Sequence, residues 1–168
     1  GAQLGSVRYS TAASYGYIVI PLFVLMGQFA AEGGIGEDAF RAARLWIGRV
    51  RGGLAMATVL GCGAFGAASG STASSAALFS KIAFPEMVRH GYNRSLAAGC
   101  IAAGGTVASM IPPSILLVLF GIVGELSIGK LLVAGILPGL LEIASYIIVI
   151  HISVRLYPDL APVLSERV

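Results

Sequence analysis

The 168-residue chain is 57% hydrophobic and only 11% charged, with a mean hydropathy of +0.87, whereas a soluble domain carries about 25% charged residues. It therefore reads as an all-α polytopic membrane protein; the alternating ~10-residue strands of a transmembrane barrel are absent. The net charge of +3 is not gathered into a basic patch interleaved with exposed aromatics, so no nucleic-acid partner is expected.

The chain opens on Gly1 with no signal peptide, and residues 1–14 are expected to be an extramembrane segment of a truncated chain. Residues 15–31, "YGYIVIPLFVLMGQFAA", form the first expected transmembrane helix, with Tyr15 and Tyr17 as interfacial aromatics and Pro21 inside it. In residues 37–51, Phe40, Ala43, Ile47 and Val50 share one helical face and Arg41, Arg44, Gly48 and Arg51 another, with Trp46 beside the apolar side. That pattern predicts an amphipathic helix lying in the membrane interface.

Residues 53–84 are too few for two full spans with a turn, which need roughly 40, and too interrupted for one. Arg41, Arg44, Arg49 and Arg51 precede the segment, and Lys81, Arg89 and Arg94 follow its middle. Basic flanks stay cytoplasmic, so the segment is expected to enter and leave by one side as a re-entrant helical hairpin with its tip at 69–75, "SGSTASS". Residues 95–123 are cut at 104–114 by Gly104, Gly105, Pro112 and Pro113. The prolines remove two donors and force Pro112 out of the α region, which predicts a broken transmembrane helix. A cleaner span is expected at 130–151, followed by a tail at 152–168.

Two polar interruptions at membrane depth carry the functional content. Backbone left unpaired in lipid costs several kcal/mol per group, so broken helices persist where protein or water receives them. Secondary transporters use such breaks: carbonyls and hydroxyls coordinate a cation, and half-helix N-termini face an anion. Ser69, Gly70, Ser71, Thr72, Ser74 and Ser75 on one side suit a hard cation such as Na⁺. Gly104, Gly105, Thr106, Met110, Ile111, Pro112, Pro113 and Ser114 on the other suit the second half of that shell. Close helix packing by small residues and a flexible surface loop are the alternatives that these residues leave open.

The stretches "RGGLAMATVLGCGAFGAASGSTASSAALFSKIAFPEM", "RHGYNRSLAAGCIAAGGTVASMIPPSILLVLFG" and "SIGKLLVAGILPGLL", with "IPLFVLMG" before them, resemble the large membrane subunit, DctM type, of tripartite ATP-independent periplasmic (TRAP) transporters. The resemblance covers roughly Tyr15 to Ile150. It implies a Na⁺-coupled, elevator-type secondary transporter of the prokaryotic inner membrane, importing organic acids such as dicarboxylates or sialic acid. It also implies a periplasmic binding protein that delivers the organic anion, a small membrane subunit as partner, and no cofactor beyond Na⁺ as coupling ion. Under the same resemblance the family's hairpin motif falls on Ser69, Gly70, Ser71 and Ser74, and its broken helix on Gly104–Thr106 and Met110–Ser114. The family's large subunit has two inverted repeats and is well over twice this length, so the chain is expected to hold most of the first repeat.

Other polar residues read more plainly. Glu142 lies mid-span, where a charge is costly, and is expected to be paired or at a subunit contact, with Ser145 and Tyr146 near it along the chain. Lys81 is expected to snorkel to the interface, and His90 and His151 to be interfacial. Cys62 and Cys100, without CxxC spacing, read as packed free thiols. No enzyme is expected. The rival readings are a channel or structural membrane subunit and, remotely, an intramembrane serine protease using Ser69 with His151 as base.

Overall fold

The computed structural model describes residues 15–161, with side chains from residue 21 onwards. The expected extramembrane segment 1–14 and the last part of the expected tail, 162–168, lie outside the described residues, as do the side chains of Tyr15 and Tyr17. Seven α-helices and one short 3₁₀ turn account for the described elements, with no strand among them. The helices are α1 (Tyr15–Glu32), α2 (Ile35–Ile47), α3 (Gly53–Ser69), α4 (Thr72–Arg89), α5 (Arg94–Val107), α6 (Ile115–Val123) and α7 (Ile128–Leu156).

Gly34, at φ +76°, turns the chain from α1 into α2, a left-handed position that glycine occupies without strain. One face of α2 packs on the core through Phe40, Ala43 and Ile47, while Trp46 is 88% exposed. The helix stops at Ile47, so Val50, expected on its apolar face, instead sits in the following turn and is exposed.

Helix α3 is the centre of the structure, buried along almost its whole length. Its glycines and alanines let neighbours come close: an added Cβ at Gly61 would stand 2.7 Å from the Phe79 ring, and one at Gly63 3.1 Å from Ile143. Helix α4 doubles back along α3. Gly61 meets Phe79, Thr58 Oγ1 lies 3.5 Å from Met87 Sδ, and Leu54 N–H donates to the Tyr92 hydroxyl at 3.3 Å. That ladder of partners, receding symmetrically from one turn, defines an antiparallel helical hairpin. Burial raises the Tyr92 phenol above its ordinary value, so it remains a neutral acceptor for the first turn of α3. Replacing Tyr92 with Phe leaves that buried N–H unpaired, and is expected to cost about 1–3 kcal/mol, read as a lower melting temperature in detergent.

Phe79 is fully buried and meets Phe40 edge-on at 6.1 Å and Phe65 at 6.4 Å. These three rings join α2, α3 and α4. At the hairpin's open end Arg44 of α2 donates to Glu86 of α4 at 2.7 Å, with Arg89 3.6 Å from the same carboxylate. His90 Nδ1 lies 2.8 Å from the Glu86 carbonyl.

Helix α5 lies along both hairpin arms. Gly104 faces Val59 and Cys62 on α3, and Gly105 faces Thr72 and Ala76 on α4. Cys62 and Cys100 are buried free thiols. Among the described residues α7 alone is long and apolar enough to cross a membrane. Its Gly135 and Gly139 pack on Met110 and Ile111. Its other flank exposes Val133, Leu137, Leu141 and Val149, a continuous apolar surface of the kind that water-facing monomers rarely carry.

Candidate functional site

The hairpin turn is much shorter than its composition suggests. Only Gly70 and Ser71 lie outside helices, whereas 69–75 reads as the tip from sequence. The reason is capping. Gly70, at φ +62°, ends α3 with its N–H on the Gly66 carbonyl at 2.7 Å. Ser71 is extended and its hydroxyl accepts from Ser74 N–H at 3.3 Å, so α4 restarts at once. Thr72, Ser74 and Ser75 thus belong to the first turn of α4.

The interruption after α5 also differs from the expected 104–114. Gly104, Gly105 and Thr106 remain helical, and the regular helix ends at Val107. Nothing in Gly104–Gly105 requires a break, because both glycines serve close helix contact. Met110, Ile111, Pro112 and Pro113 lie in the non-helical link, with the Pro112–Pro113 peptide cis. Ser114, fully buried, caps α6: its hydroxyl accepts from Leu117 N–H at 3.2 Å and donates to the Ser109 carbonyl at 2.5 Å.

These two interruptions meet. Ile115 N–H, the first of α6, donates to the Gly70 carbonyl at 3.2 Å, and a Cβ on Gly70 would collide with the Pro113 carbonyl oxygen. Just behind them, an added Cβ at Gly66 would stand 2.6 Å from the Ala108 Cβ. Gly27 of α1 closes the junction from a third side, 3.2 Å from the Ser69 backbone by the same measure. The turn and the link therefore form one site in which two helices end, α3 and α5, and two begin, α4 and α6. Helix starts present unpaired N–H groups and positive dipole ends, and helix stops present carbonyls.

Within the site Ser69 and Ser75 are fully buried. The Ser69 hydroxyl lies 3.5 Å from Ser71 N–H. The Ser75 hydroxyl has no hydrogen-bond partner among the described residues, which is unusual for a buried polar group. Gly27 and Ser109 contribute to this junction although no spacing rule marks them; "MGQ" and "ASM" resemble ordinary helix packing.

Gly104 and Gly105 face α3 and α4, and Ile111 packs on Gly139 of α7 and near Gly63 of α3; Met110 and Thr106 also face elsewhere. The Met110 carbonyl and side chain pack on α7 at Gly135 and Gly139. Thr106 turns its hydroxyl to α7, 2.8 Å from Glu142 Oε1 and 3.1 Å from the Tyr146 hydroxyl, and Tyr146 donates to the same Oε1 at 3.0 Å. Glu142 is thus paired across helices, with Thr106 a partner that chain proximity does not reveal. The protease reading fails on geometry. Ser69 ends α3, whereas Ile150 and Val154, which flank His151, pack on Gly52 at the opposite end of that helix, about 24 Å away at 1.5 Å per residue.

Described residues that are all helical, with one long exposed apolar helix and two apposed helix interruptions among them, have the makings of a membrane transport protein. The sequence agrees: residues 4–164 match the model of the DctM component of tripartite ATP-independent periplasmic transporters, and the chain belongs to that family. It is 40% identical over 147 residues to the C4-dicarboxylate TRAP transporter large permease protein DctM of Pseudomonas aeruginosa, covering 88% of this chain and 34% of the relative. It is 36% identical over 138 residues to the isethionate TRAP transporter permease protein DctMQ of Oleidesulfovibrio alaskensis, covering 82% and 22%. It is 35% identical over 143 residues to the ectoine TRAP transporter large permease protein TeaC of Halomonas elongata, covering 84% and 34%. The chain therefore spans about a third or less of the length of these relatives.

Proposed function

We infer that this chain is part of a Na⁺-coupled permease that imports an organic acid across the prokaryotic inner membrane, and that the turn–link junction is its ion and substrate site. The observation that carries this reading is the contact between Gly70 and the Pro113–Ile115 link, which joins two interruptions far apart in the chain. Helices α3 and α5 stop and helices α4 and α6 start around this place, the kind of broken-helix arrangement with which secondary transporters hold Na⁺ and an anionic substrate. The buried Ser75 hydroxyl supplies one further oxygen. The hairpin is re-entrant in this reading: both arms return to the basic end marked by Arg44, Arg51, Arg89 and Arg94. The transport-competent assembly includes the remaining permease, a small membrane subunit and a periplasmic binding protein. Substrate moves with the hairpin in an elevator-type displacement.

The substrates named for the relatives, C4-dicarboxylate, isethionate and ectoine, all carry an anionic carboxylate or sulfonate group, which supports the reading of an organic acid, such as a dicarboxylate or sialic acid, as the cargo. The decisive experiment uses the complete transporter with Cys62 and Cys100 replaced by alanine and a single cysteine at Ser71. Na⁺ is expected to slow its labelling at least ~5-fold relative to choline, in parallel with Na⁺-dependent uptake. Equal labelling in both salts together with Na⁺-independent uptake would refute the coupling. Ser75→Ala separates ligand from packing: loss of an ion ligand raises the Na⁺ concentration for half-maximal uptake about tenfold, roughly 1.4 kcal/mol, whereas removal of an idle hydroxyl leaves it unchanged.

A further inference from the structure

The Thr106–Glu142–Tyr146 cluster stands outside the turn–link junction, on the flank of α7, yet it is connected to that junction residue by residue, through Thr106, Ser109 and Ser114, by hydrogen bonds at each of them. Tyr146 and Thr106 both reach Glu142 Oε1, at 3.0 and 2.8 Å. The Thr106 carbonyl accepts from the Ser109 hydroxyl at 2.6 Å and from Ser109 N–H at 2.9 Å. The Ser109 carbonyl accepts from the Ser114 hydroxyl at 2.5 Å, and that hydroxyl in turn caps Leu117 N–H at 3.2 Å. One residue on from Ser114, Ile115 N–H reaches the Gly70 carbonyl at 3.2 Å. Ser109 and Ser114 thus supply the side-chain hydrogen bonds between the end of α5 and the start of α6, and the series begins at a carboxyl group in the middle of an apolar helix.

We propose that Glu142 is a positioning residue: through Thr106, Ser109 and Ser114 it holds the non-helical link in the register that presents α6 to the hairpin turn. The proposal rests on the reading of that junction as the transport site. Three observations favour it over a bland pairing. Position 142 is expensive for an ionisable side chain, and its hydrogen-bond partners, Thr106 and Tyr146, are both neutral hydroxyls. The Thr106 hydroxyl lies within reach of both the Ala103 carbonyl at 2.6 Å and Glu142 Oε1 at 2.8 Å, so it ties residue 142 to the last turn of α5. And α7 touches the link directly, through Gly135 and Gly139 on Met110 and Ile111, which leaves the Glu142 contact as the polar bolt on an apolar seam. The demand is for hydrogen bonding rather than charge, so glutamine satisfies it: with its oxygen in the place of Oε1 it accepts from both Thr106 and Tyr146, as the carboxylate does.

The test uses the complete transporter with the single cysteine at Ser71 and reads labelling in choline, which is independent of any coupling ion. Glu142→Leu is expected to speed labelling of the turn at least ~5-fold, Thr106→Val to do the same, and the double variant to be no faster than either, because both break one series. Glu142→Gln is expected to restore the slow rate within about twofold and to keep the Na⁺ dependence of uptake. Unchanged labelling in both Glu142→Leu and Thr106→Val, additive effects in the double variant, or failure of glutamine to rescue would each overturn the proposal. If Glu142→Leu does not reach the membrane, Thr106→Val and Glu142→Gln decide it. Failure of the transport reading has a different signature: no effect of Na⁺ on labelling or uptake of the parent protein, whatever the Glu142 variants do.

Discussion

Gly70→Val is expected to abolish uptake, by about 100-fold or more, while leaving the protein in the membrane at near-normal amount. Two independent facts drive this expectation. The backbone at Gly70 lies at φ +62°, a region that β-branched residues enter only with strain. A side chain there would also meet the Pro113 carbonyl, so it would have to lift the hairpin turn off the link even if the backbone complied. Displacements near 1 Å at a preorganised site are enough for losses of this size. The core of the hairpin is built further back, around Phe40, Phe65 and Phe79, which is why assembly survives. Uptake by membrane vesicles, normalised to protein amount, checks it. Gly70→Ala should be milder in backbone strain but equally blocked by the Pro113 oxygen, so similar losses for both variants would identify the collision as the main cause.

Ser114→Ala is the second large effect. The hydroxyl does two things at once: it caps the N-terminus of α6 and saturates the Ser109 carbonyl, and it is wholly buried. Loss of a cap costs about 1 kcal/mol, and a buried carbonyl left without its donor about 1–3 kcal/mol more. A combined loss of about 2–4 kcal/mol falls on the link itself. Uptake is expected to fall at least tenfold, with a raised Na⁺ requirement, and Ser114→Thr to recover most of it because the hydroxyl is kept. Wild-type kinetics in Ser114→Ala would mean that the link is held by packing on α7 alone. In contrast, Ser145, whose hydroxyl bonds only to its own helix at Leu141 and Glu142, should tolerate alanine.

Much of the helical order was legible because each element carries its own local signal. The apolar run up to Ala31 ends at paired glycines, and the 3.6-residue pattern of Phe40, Ala43 and Ile47 marks one face. The extent of the two interruptions was not legible. Composition treats every Ser and Gly in 69–75 as loop, yet Ser71 caps the helix that contains Thr72, Ser74 and Ser75. Gly104 and Gly105 look like helix breakers until the neighbours are in place; then they are the points where α5 touches Cys62 and Ala76. Small residues have the same appearance in a sequence whether they open a backbone or admit a neighbour, and only the neighbour distinguishes the two.

By itself the sequence determines that this protein is helical and apolar, that polar interruptions fall near residues 70 and 110, and that its motifs are those of the DctM family. Those properties follow from composition, periodicity and residue identity, which act locally along the chain. The tertiary structure alone decides that the Gly70 turn rests on Pro113 and Ile115, that Thr106 turns away from this junction, and that Glu142 answers it across 36 residues. Such pairings depend on which helices stack and in what register, a balance of close glycine contacts and buried hydrogen bonds that no single segment contains.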